Sequence, residues 1–210
     1  MDILRYDSSS GVKNINLVPE YSLWGDIIWK KVITNVRRLQ MRIAKAATEK
    51  KWRKLKQLQK LLLNSLSAKL YSVRLITTNK GKNTPGIDGE IWNSPGQKWE
   101  QALKLNYKDY KYCNKLRRIL IPKPGKKDKR ALSIPCKKDM AMQTLCQLAI
   151  DPLAEVTSDK SSYGFRKSRG CHDAIGRLFI QLSHKGSGKY ILDADIEKCF
   201  DQISHKYIIE

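Results

Sequence analysis

Apolar residues recur at helical spacing along two stretches of the N-terminal half of the chain. From Trp29 they follow a rhythm of three and then four residues, which predicts an amphipathic helix; they are Val32, Val36, Leu39, Ile43 and Ala46. A second stretch, from Trp52 to Val73, repeats leucine at similar spacing. The two stretches predict a helical hairpin with Lys and Arg on its polar faces, and a short coiled coil is the alternative.

The middle of the chain alternates short apolar runs with turn residues. Leu116–Ile121 and Ala131–Ile134 predict two strands, joined by a turn at Pro124-Gly125 and the lysines that follow. Upstream, Asn79–Gly89 is dense in turn-forming residues and predicts an ordered or functional loop. Pro95-Gly96, between two tryptophans, predicts a further turn.

The last third of the chain predicts two helices and a strand. Asp139 is expected to cap a helix that Pro152 ends. A second amphipathic helix follows Ser168 and ends near Gly186. The apolar run that begins at residue 190 predicts a buried strand over 190–195.

The net charge of the chain favours one class of binding partner. Lys and Arg number 41 against 20 Asp and Glu, a net charge of +21. Twelve basic residues and one acidic residue lie between Lys30 and Lys60, and thirteen and two lie between Lys104 and Lys138. Such regions attract polyanions and favour nucleic acid. An anionic membrane surface or a ribosome is the alternative partner, and no apolar run approaches the roughly 20 residues of a membrane span.

The five cysteines indicate the redox state of the compartment in which the protein is found. They form no Cys-x-x-Cys pair and are odd in number, so neither a disulfide framework nor a zinc site is expected. A reducing, intracellular compartment is predicted. Free use of Lys, Asn and Ile is compatible with an AT-rich genome, which points to a plastid or mitochondrion, with slight preference for a plastid, or to a bacterial cytoplasm.

Two carboxylates lie at the end of the predicted last strand. Side chains alternate along a strand, so Asp193 and Asp195 would share one face if the strand continues through them. Carboxylates at the end of a buried strand suit Mg²⁺, which takes oxygen ligands and substrate phosphates. The alternative is a strand that ends in solvated aspartates.

Four blocks in order resemble the group II intron reverse transcriptases, also called maturases. They are Arg74–Gly89, Ile121–Pro135 (Ile-Pro-Lys-Pro-Gly at its start), Ser162–Arg166 and Asp195–Phe200. The resemblance covers roughly residues 21–210 and implies an α+β fold, a basic helical domain followed by an incomplete fingers and palm domain of a right-hand polymerase. The implied domains are a disordered lead-in over 1–20, the N-terminal domain with its extension loop over 21–90, and the partial reverse transcriptase domain over 91–210.

The resemblance also implies roles at the polymerase site. Lys123 and Arg130 occupy the positions whose cations contact the triphosphate of the incoming dNTP. Phe200 lies where related polymerases place an aromatic ring under the sugar. Asp195 is the implied catalytic aspartate and, with the backbone of Ile196, the implied ligand of Mg²⁺.

Further residues are expected to bind nucleic acid. In the resembling family the block with Phe165 and Arg166 lies beside the template, and the loop with Lys80 and Lys82 lies near template and primer. The predicted first helix adds four cations: Arg37, Arg38, Arg42 and Lys45. The implied partners are intron and template RNA, with primer DNA and dNTP for the full-length family. No membrane is implied, and the oligomeric state is undetermined.

Family members supply further metal-binding carboxylates in a Tyr-x-Asp-Asp block, and this sequence contains no Asp-Asp dipeptide. One aspartate does not hold two metal ions, so this chain is expected not to polymerise by itself. The sequence is accordingly predicted to be a fragment or a decayed reading frame. The alternative function is that of a non-enzymatic RNA-binding splicing factor derived from such a protein.

Overall fold

A computed structural model describes residues 24–122, 124–125, 129–197 and 199–209, with the backbone alone at residues 200, 201 and 209. The predicted lead-in over 1–20 therefore lies outside the described residues. Contacts divide the chain into two compact units, of which one ends at Ser158 and the other begins at Asp159.

The first unit contains five helices and a two-stranded sheet among its described residues. In chain order these are α1 (Trp29–Thr48), α2 (Trp52–Asn64), α3 (Leu66–Thr78), α4 (Pro95–Lys104), β1 (Arg117–Pro122), β2 (Lys129–Ile134) and α5 (Lys137–Thr157). The described helices of the second unit are α6 (Cys171–Leu182), α7 (Cys199–Gln202) and α8 (His205–Ile209). The described chain is thus helix-rich with a small sheet, which is compatible with the predicted α+β class. Of the described helices, none has both the length and the apolar character needed to cross a membrane.

The core of the first unit lies between α1, α2, α3 and α5. Helix α1 contacts the other three, and α3 also contacts α4. The predicted apolar stripe of α1 is confirmed, because Val32, Val36, Ile43 and Ala46 are buried. The same buried cluster includes Leu145 of α5 and so continues past residue 90. The predicted boundary at 90/91 concerns family domains and stays a prediction.

The second helical stretch forms two helices, so the predicted two-helix hairpin was wrong. Ser65 separates α2 from α3 with an extended backbone (φ −67°, ψ 126°). Helix α2 buries three leucines, Leu55, Leu58 and Leu62. A break of one residue hardly disturbs the spacing of leucines, and periodicity alone does not reveal it.

The predicted turn at Pro95-Gly96 was also wrong, because Pro95 is the first residue of α4. The Ser94 hydroxyl accepts a hydrogen bond from the Gln97 N–H at 3.2 Å and caps the helix. Proline suits this first position, where its missing N–H costs no helical hydrogen bond.

Helix α5 begins earlier than predicted, and Asp139 is not its cap. Cys136 holds the N-cap position and Asp139 lies in the first turn, where it is buried. Its carboxylate accepts hydrogen bonds from the Tyr110 hydroxyl and, at 3.1 Å, from the Asn114 N–H. Asp139 therefore fastens the segment between α4 and β1 onto α5.

Pro152 lies inside α5 and does not end it, contrary to the prediction. A proline lacks the N–H that would bond the carbonyl four residues earlier, which here belongs to Leu148. The Gln40 side chain of α1 donates to that carbonyl at 2.9 Å, and Gln59 of α2 donates to the next one, on Ala149, at 3.0 Å. Neighbouring helices thus supply a donor where the proline removes one.

The predicted hairpin is confirmed. Strands β1 and β2 pair antiparallel from Arg117 opposite Ile134 to Pro122 opposite Lys129. Gly125 has a positive φ of 68° in the turn, a conformation that glycine adopts without steric cost.

The second unit confirms a helix after Ser168 and contradicts the strand over 190–195. Helix α6 spans Cys171–Leu182, whereas residues 190–195 form no strand and Tyr190 and Leu192 are exposed. A strand needs a partner for its backbone groups. Within the described residues the only strands, β1 and β2, pair with each other.

Candidate nucleic-acid interface

One side of α1 carries the four predicted cations together. Arg38, Arg42 and Lys45 follow one another at spacings of four and three, so they share a face, and Arg37 adjoins them. All four are exposed, on the helix whose other side enters the core. Lys45 also lies 3.9 Å from Glu49, the one acidic residue of this region. The helix thus holds a row of positive charge on a rigid support, here called the α1 basic face.

The loop Asn79–Gly89 is fastened at three points. The Lys137 ammonium donates to the Gly81 carbonyl at 3.0 Å, and the Arg117 guanidinium donates to the Pro85 carbonyl at 3.4 Å. Gly86 lies against Cys136, so closely that a Cβ on Gly86 would lie 2.6 Å from the Cys136 Cα. The loop is therefore held against the base of the hairpin and the start of α5.

Lys80 and Lys82 flank the carbonyl that Lys137 binds, and both are exposed. Burial lowers the pKa of Lys137, while Asp88 opposes this shift. In the sequence Lys137 is one of the thirteen basic residues between Lys104 and Lys138, and its contact with the loop was not predicted. A signal was present, since the buried stripe of α5 at Ala141 and Leu145, continued back by one turn, arrives at Lys137.

Arg130 lies near the turn end of the hairpin, opposite Ile121. Side chains alternate along a strand, so Arg130 shares a face of β2 with the buried Ile134. Arg117, which pairs with Ile134 at the base of the hairpin, bonds the loop described above. Arg130 is exposed. Lys123, its predicted partner at the dNTP, lies outside the described residues.

In the second unit, Arg166 braces the loop that presents Phe165. The Arg166 guanidinium donates to the Asp159 carbonyl at 2.6 Å and to the Ser162 carbonyl at 3.3 Å. Phe165 has a positive φ of 58° and its ring is fully exposed. A non-glycine residue in this conformation is strained, and such strain concentrates at functional sites.

Asp193 and Asp195 lie in an exposed, irregular segment. One Asp195 carboxylate oxygen accepts a hydrogen bond from the Ile196 N–H at 2.9 Å. The described residues contain no group of three His, Cys, Asp or Glu side chains that would hold a metal ion. The side chain of Phe200 lies outside the described residues.

Comparison with known proteins agrees with a positively charged chain that contains both helices and strands. Residues 24–105 match the model of the N-terminal domain of reverse transcriptase, and residues 121–210 match that of reverse transcriptase (RNA-dependent DNA polymerase). These two matches, which together cover most of the chain, define it as reverse transcriptase sequence.

The chain is also similar to individual proteins, of which three are described. The chain is 29% identical over 133 residues to the group II intron-encoded protein LtrA of Lactococcus lactis, an alignment that covers 63% of this chain and 22% of that protein. It is 29% identical over 147 residues to protein YkfC of Escherichia coli, covering 66% and 38%. It is 24% identical over 190 residues to maturase-like protein 1 of Euglena longa, covering 88% and 41%.

The chain belongs to the family of group II intron reverse transcriptases and maturases. It corresponds to the N-terminal reverse transcriptase portion of such proteins. The aligned region spans less than half the length of each of the three relatives.

Proposed function

We propose that this chain is the N-terminal portion of a protein that copies RNA into DNA and assists the splicing of its intron RNA, and that the first unit binds this RNA. The observation that carries the RNA-binding part is the α1 basic face, an exposed row of cations on a helix anchored in the core. A net charge of +21 supplies the attraction that brings a polyanion to this face. The matched families supply the class of nucleic acid.

Binding of a structured RNA hairpin, measured over a range of salt concentrations, tests this proposal. Removal of one cation that touches a phosphate reduces the slope of log affinity against log salt by about 0.7 to 0.9. Replacement of four cations with Gln (Arg37, Arg38, Arg42 and Lys45) should weaken binding at least tenfold and, if all four touch phosphates, flatten the slope by roughly 3 to 4.

The matched control removes the same number of charges elsewhere. Four exposed cations of the second unit, Lys160, Arg177, Lys185 and Lys189, are replaced with Gln. Net charge falls equally in both variants, so a larger loss of affinity in the first variant assigns RNA contact to α1. Equal affinities and slopes in the two variants would remove α1 from the interface.

We further propose a right-hand polymerase arrangement in which the β1–β2 hairpin belongs to the fingers. Arg130, with Lys123, then contacts the triphosphate of the dNTP, because arginine binds phosphate as a two-pronged donor and lysine as a point charge. Lys80 and Lys82 contact template or primer from the fastened loop. Phe200 selects the deoxyribose. The exposure of Arg130 and the confirmed hairpin support this arrangement.

Phe165 and Arg166 are proposed template contacts of different kinds. The exposed ring of Phe165 is available for stacking on a base, a contact that tolerates any sequence. Arg166 already donates to two carbonyls of its own loop, so part of its role is to hold the ring outward.

The family generally uses a divalent metal. Asp195 with the Ile196 backbone stays our predicted Mg²⁺ ligand and Asp195 the predicted catalytic aspartate, but the described residues do not complete a site. We propose an organelle or a bacterial cytoplasm as the compartment. The five free cysteines are compatible with that location.

A further inference from the structure

One tryptophan of this chain differs from the other four. Trp92 is buried, and Trp24, Trp29 and Trp99 pack against the core of the first unit. Trp52, the first residue of α2, is instead half exposed at 50%. Tryptophan combines a large apolar ring with a polar N–H, and for this reason it is enriched at binding interfaces.

The surroundings of Trp52 are cationic. The indole forms one wall of an open depression of about 560 Å³, whose other walls are Lys51, Arg53, Lys54 and Gln57. Because the depression is open and the indole is half exposed, a flat ring can reach the indole from solvent. An apolar ring between cations suits a ligand that has both a flat aromatic part and negative charge.

Some of the charged side chains near Trp52 form ion pairs, and others face solvent. Glu49 lies 2.8 Å from Lys51 and 3.9 Å from Lys45, and the hydrogen bond from Lys51 is the main reason that its pKa is lowered. Arg53 and Lys54 are exposed and take part in no ion pair of the described chain. These two cations are therefore placed to bind phosphate.

The backbone that carries Trp52 is ordered before any ligand arrives. The three-residue connection from α1 to α2 is closed by backbone hydrogen bonds of about 3 Å, among them Lys50 N–H to the Ala47 carbonyl and Lys51 N–H to the Ala46 carbonyl. Lys50 takes a positive φ of 53° to make this turn. A ring held on such a support loses little freedom when a partner stacks on it.

We propose that the Trp52 depression binds an unpaired nucleotide of the RNA, with the base stacked on the indole and its phosphate held by Arg53 and Lys54. Stacking of bases on aromatic side chains is sequence-tolerant, and the Gln57 amide adds a donor and an acceptor for a base edge. This site lies at the start of α2, and the ion pairs of Glu49 with Lys45 and Lys51 connect it to the α1 basic face, so the inference rests on the proposed RNA binding. It adds recognition of unpaired nucleotides, which phosphate contacts by themselves do not supply.

Two RNAs of equal phosphate count test the proposal, namely a hairpin with an eight-nucleotide single-stranded loop and a blunt duplex. Trp52→Ala should weaken binding of the hairpin between about fivefold and a hundredfold, the range for loss of one stacked base. Its affinity for the duplex should change less than about twofold, and its salt slope should not change, because every phosphate contact is kept. Trp52→Phe, which keeps a ring, should retain most of the hairpin affinity.

The control is Leu61→Ala, which removes an apolar side chain of similar exposure, 51%, from the same helix. It should leave both affinities unchanged. Lys54→Gln should instead lower the salt slope for the hairpin. Circular dichroism and thermal unfolding check that each variant is folded. If Trp52→Ala is unfolded, Trp52→Phe still tests the contribution of the ring.

Four results would overturn the inference. Unchanged hairpin affinity in Trp52→Ala, or equal losses for hairpin and duplex, would show that no unpaired base stacks there while leaving the proposed RNA binding intact. An effect of Trp52 on the matching DNA hairpin and none on the RNA hairpin would exclude RNA as the source of the nucleotide. Failure of the unmodified chain to bind either RNA would overturn the proposed RNA binding and this site with it.

Discussion

Helices α1 and α6 are both amphipathic by sequence, yet they end in different environments. Helix α1 buries five residues between α2, α3 and α5, whereas α6 buries none of its own. Phe179 of α6 is 72% exposed, and Ile43 of α1 is fully buried. An apolar stripe therefore determines that a helix forms and which side is apolar. Burial of that side depends on which other elements the fold supplies.

The sharpest test of this contrast compares one leucine from each unit. Leu62 of α2 is fully buried and Leu178 of α6 is 53% exposed. Leu62→Ala should lower the free energy of unfolding by about 2–5 kcal/mol, because it removes buried methyl groups and leaves a cavity. Leu178→Ala should change it by less than about 0.5 kcal/mol. Urea denaturation followed by circular dichroism measures both, and similar losses would show that α6 is as well packed as α2.

Two glycines extend the comparison to backbone packing. A Cβ at Gly86 would lie 2.6 Å from the Cys136 Cα, whereas a Cβ at Gly164 in the second unit meets no atom within 4 Å. Gly86→Ala should destabilise by about 1–3 kcal/mol, because the loop must move away from the start of α5. Gly164→Ala should fall within about 0.5 kcal/mol of the unmodified chain. A neutral Gly86→Ala would mean that the loop is not fastened at this point.

The next largest loss of stability is expected when a side chain that donates a hydrogen bond to α5 is removed. Gln40→Ala should lower the free energy of unfolding by about 1–2 kcal/mol, since it leaves the Leu148 carbonyl without a donor. Pro152→Ala restores a backbone N–H to that carbonyl, so the same substitution should cost less in this background. A double-mutant cycle measures the coupling, and Gln181→Ala on the exposed surface of α6 serves as the control. Additive losses would contradict this role of Gln40 beside the proline.

The smallest effect is the pH dependence of stability that Lys137 contributes. Burial lowers the pKa of Lys137 below its ordinary value of 10.5. In the alkaline range beneath that value the unfolded chain binds more protons than the folded chain, so this contribution to stability rises with pH. Lys137→Met should remove the rise, and Lys189→Met at an exposed position should not. Unfolding measured at several alkaline pH values compares the two, and identical profiles would exclude a special environment for Lys137.

Prediction from the sequence succeeded for elements that depend only on residues close together in the chain. The spacing of apolar residues predicted α1 and α6, and two short apolar runs around Pro124-Gly125 predicted the hairpin that places Arg130. The α1 basic face followed from the same periodicity, because cations at spacings of three and four share one side of a helix. The roles of these cations at a nucleic acid stay predictions.

The failures share a physical cause, which is that the deciding partner lies far away in the chain. Pro152 ends a helix by local rules, and it is accommodated inside α5 by Gln40, more than a hundred residues earlier. Asp139 resembles a cap in sequence but bonds Tyr110 and Asn114. The run at 190–195 has the composition of a buried strand, and composition does not supply a neighbouring strand.

The sequence by itself determined most helical segments, the hairpin and the polar side of each amphipathic helix, because these depend on neighbours within a few residues. It also determined the family, through ordered blocks of residues. Only the tertiary structure decided which stripes are buried, that Lys137 holds the loop beside Lys80 and Lys82, and that Trp52 faces solvent between cations. The buried stripes and the Lys137 contact arise between segments that are distant in the chain, and Trp52 is left in solvent because the leucine side of α2 is the side that packs on the core. Folding brings such segments together through packing that no local pattern records.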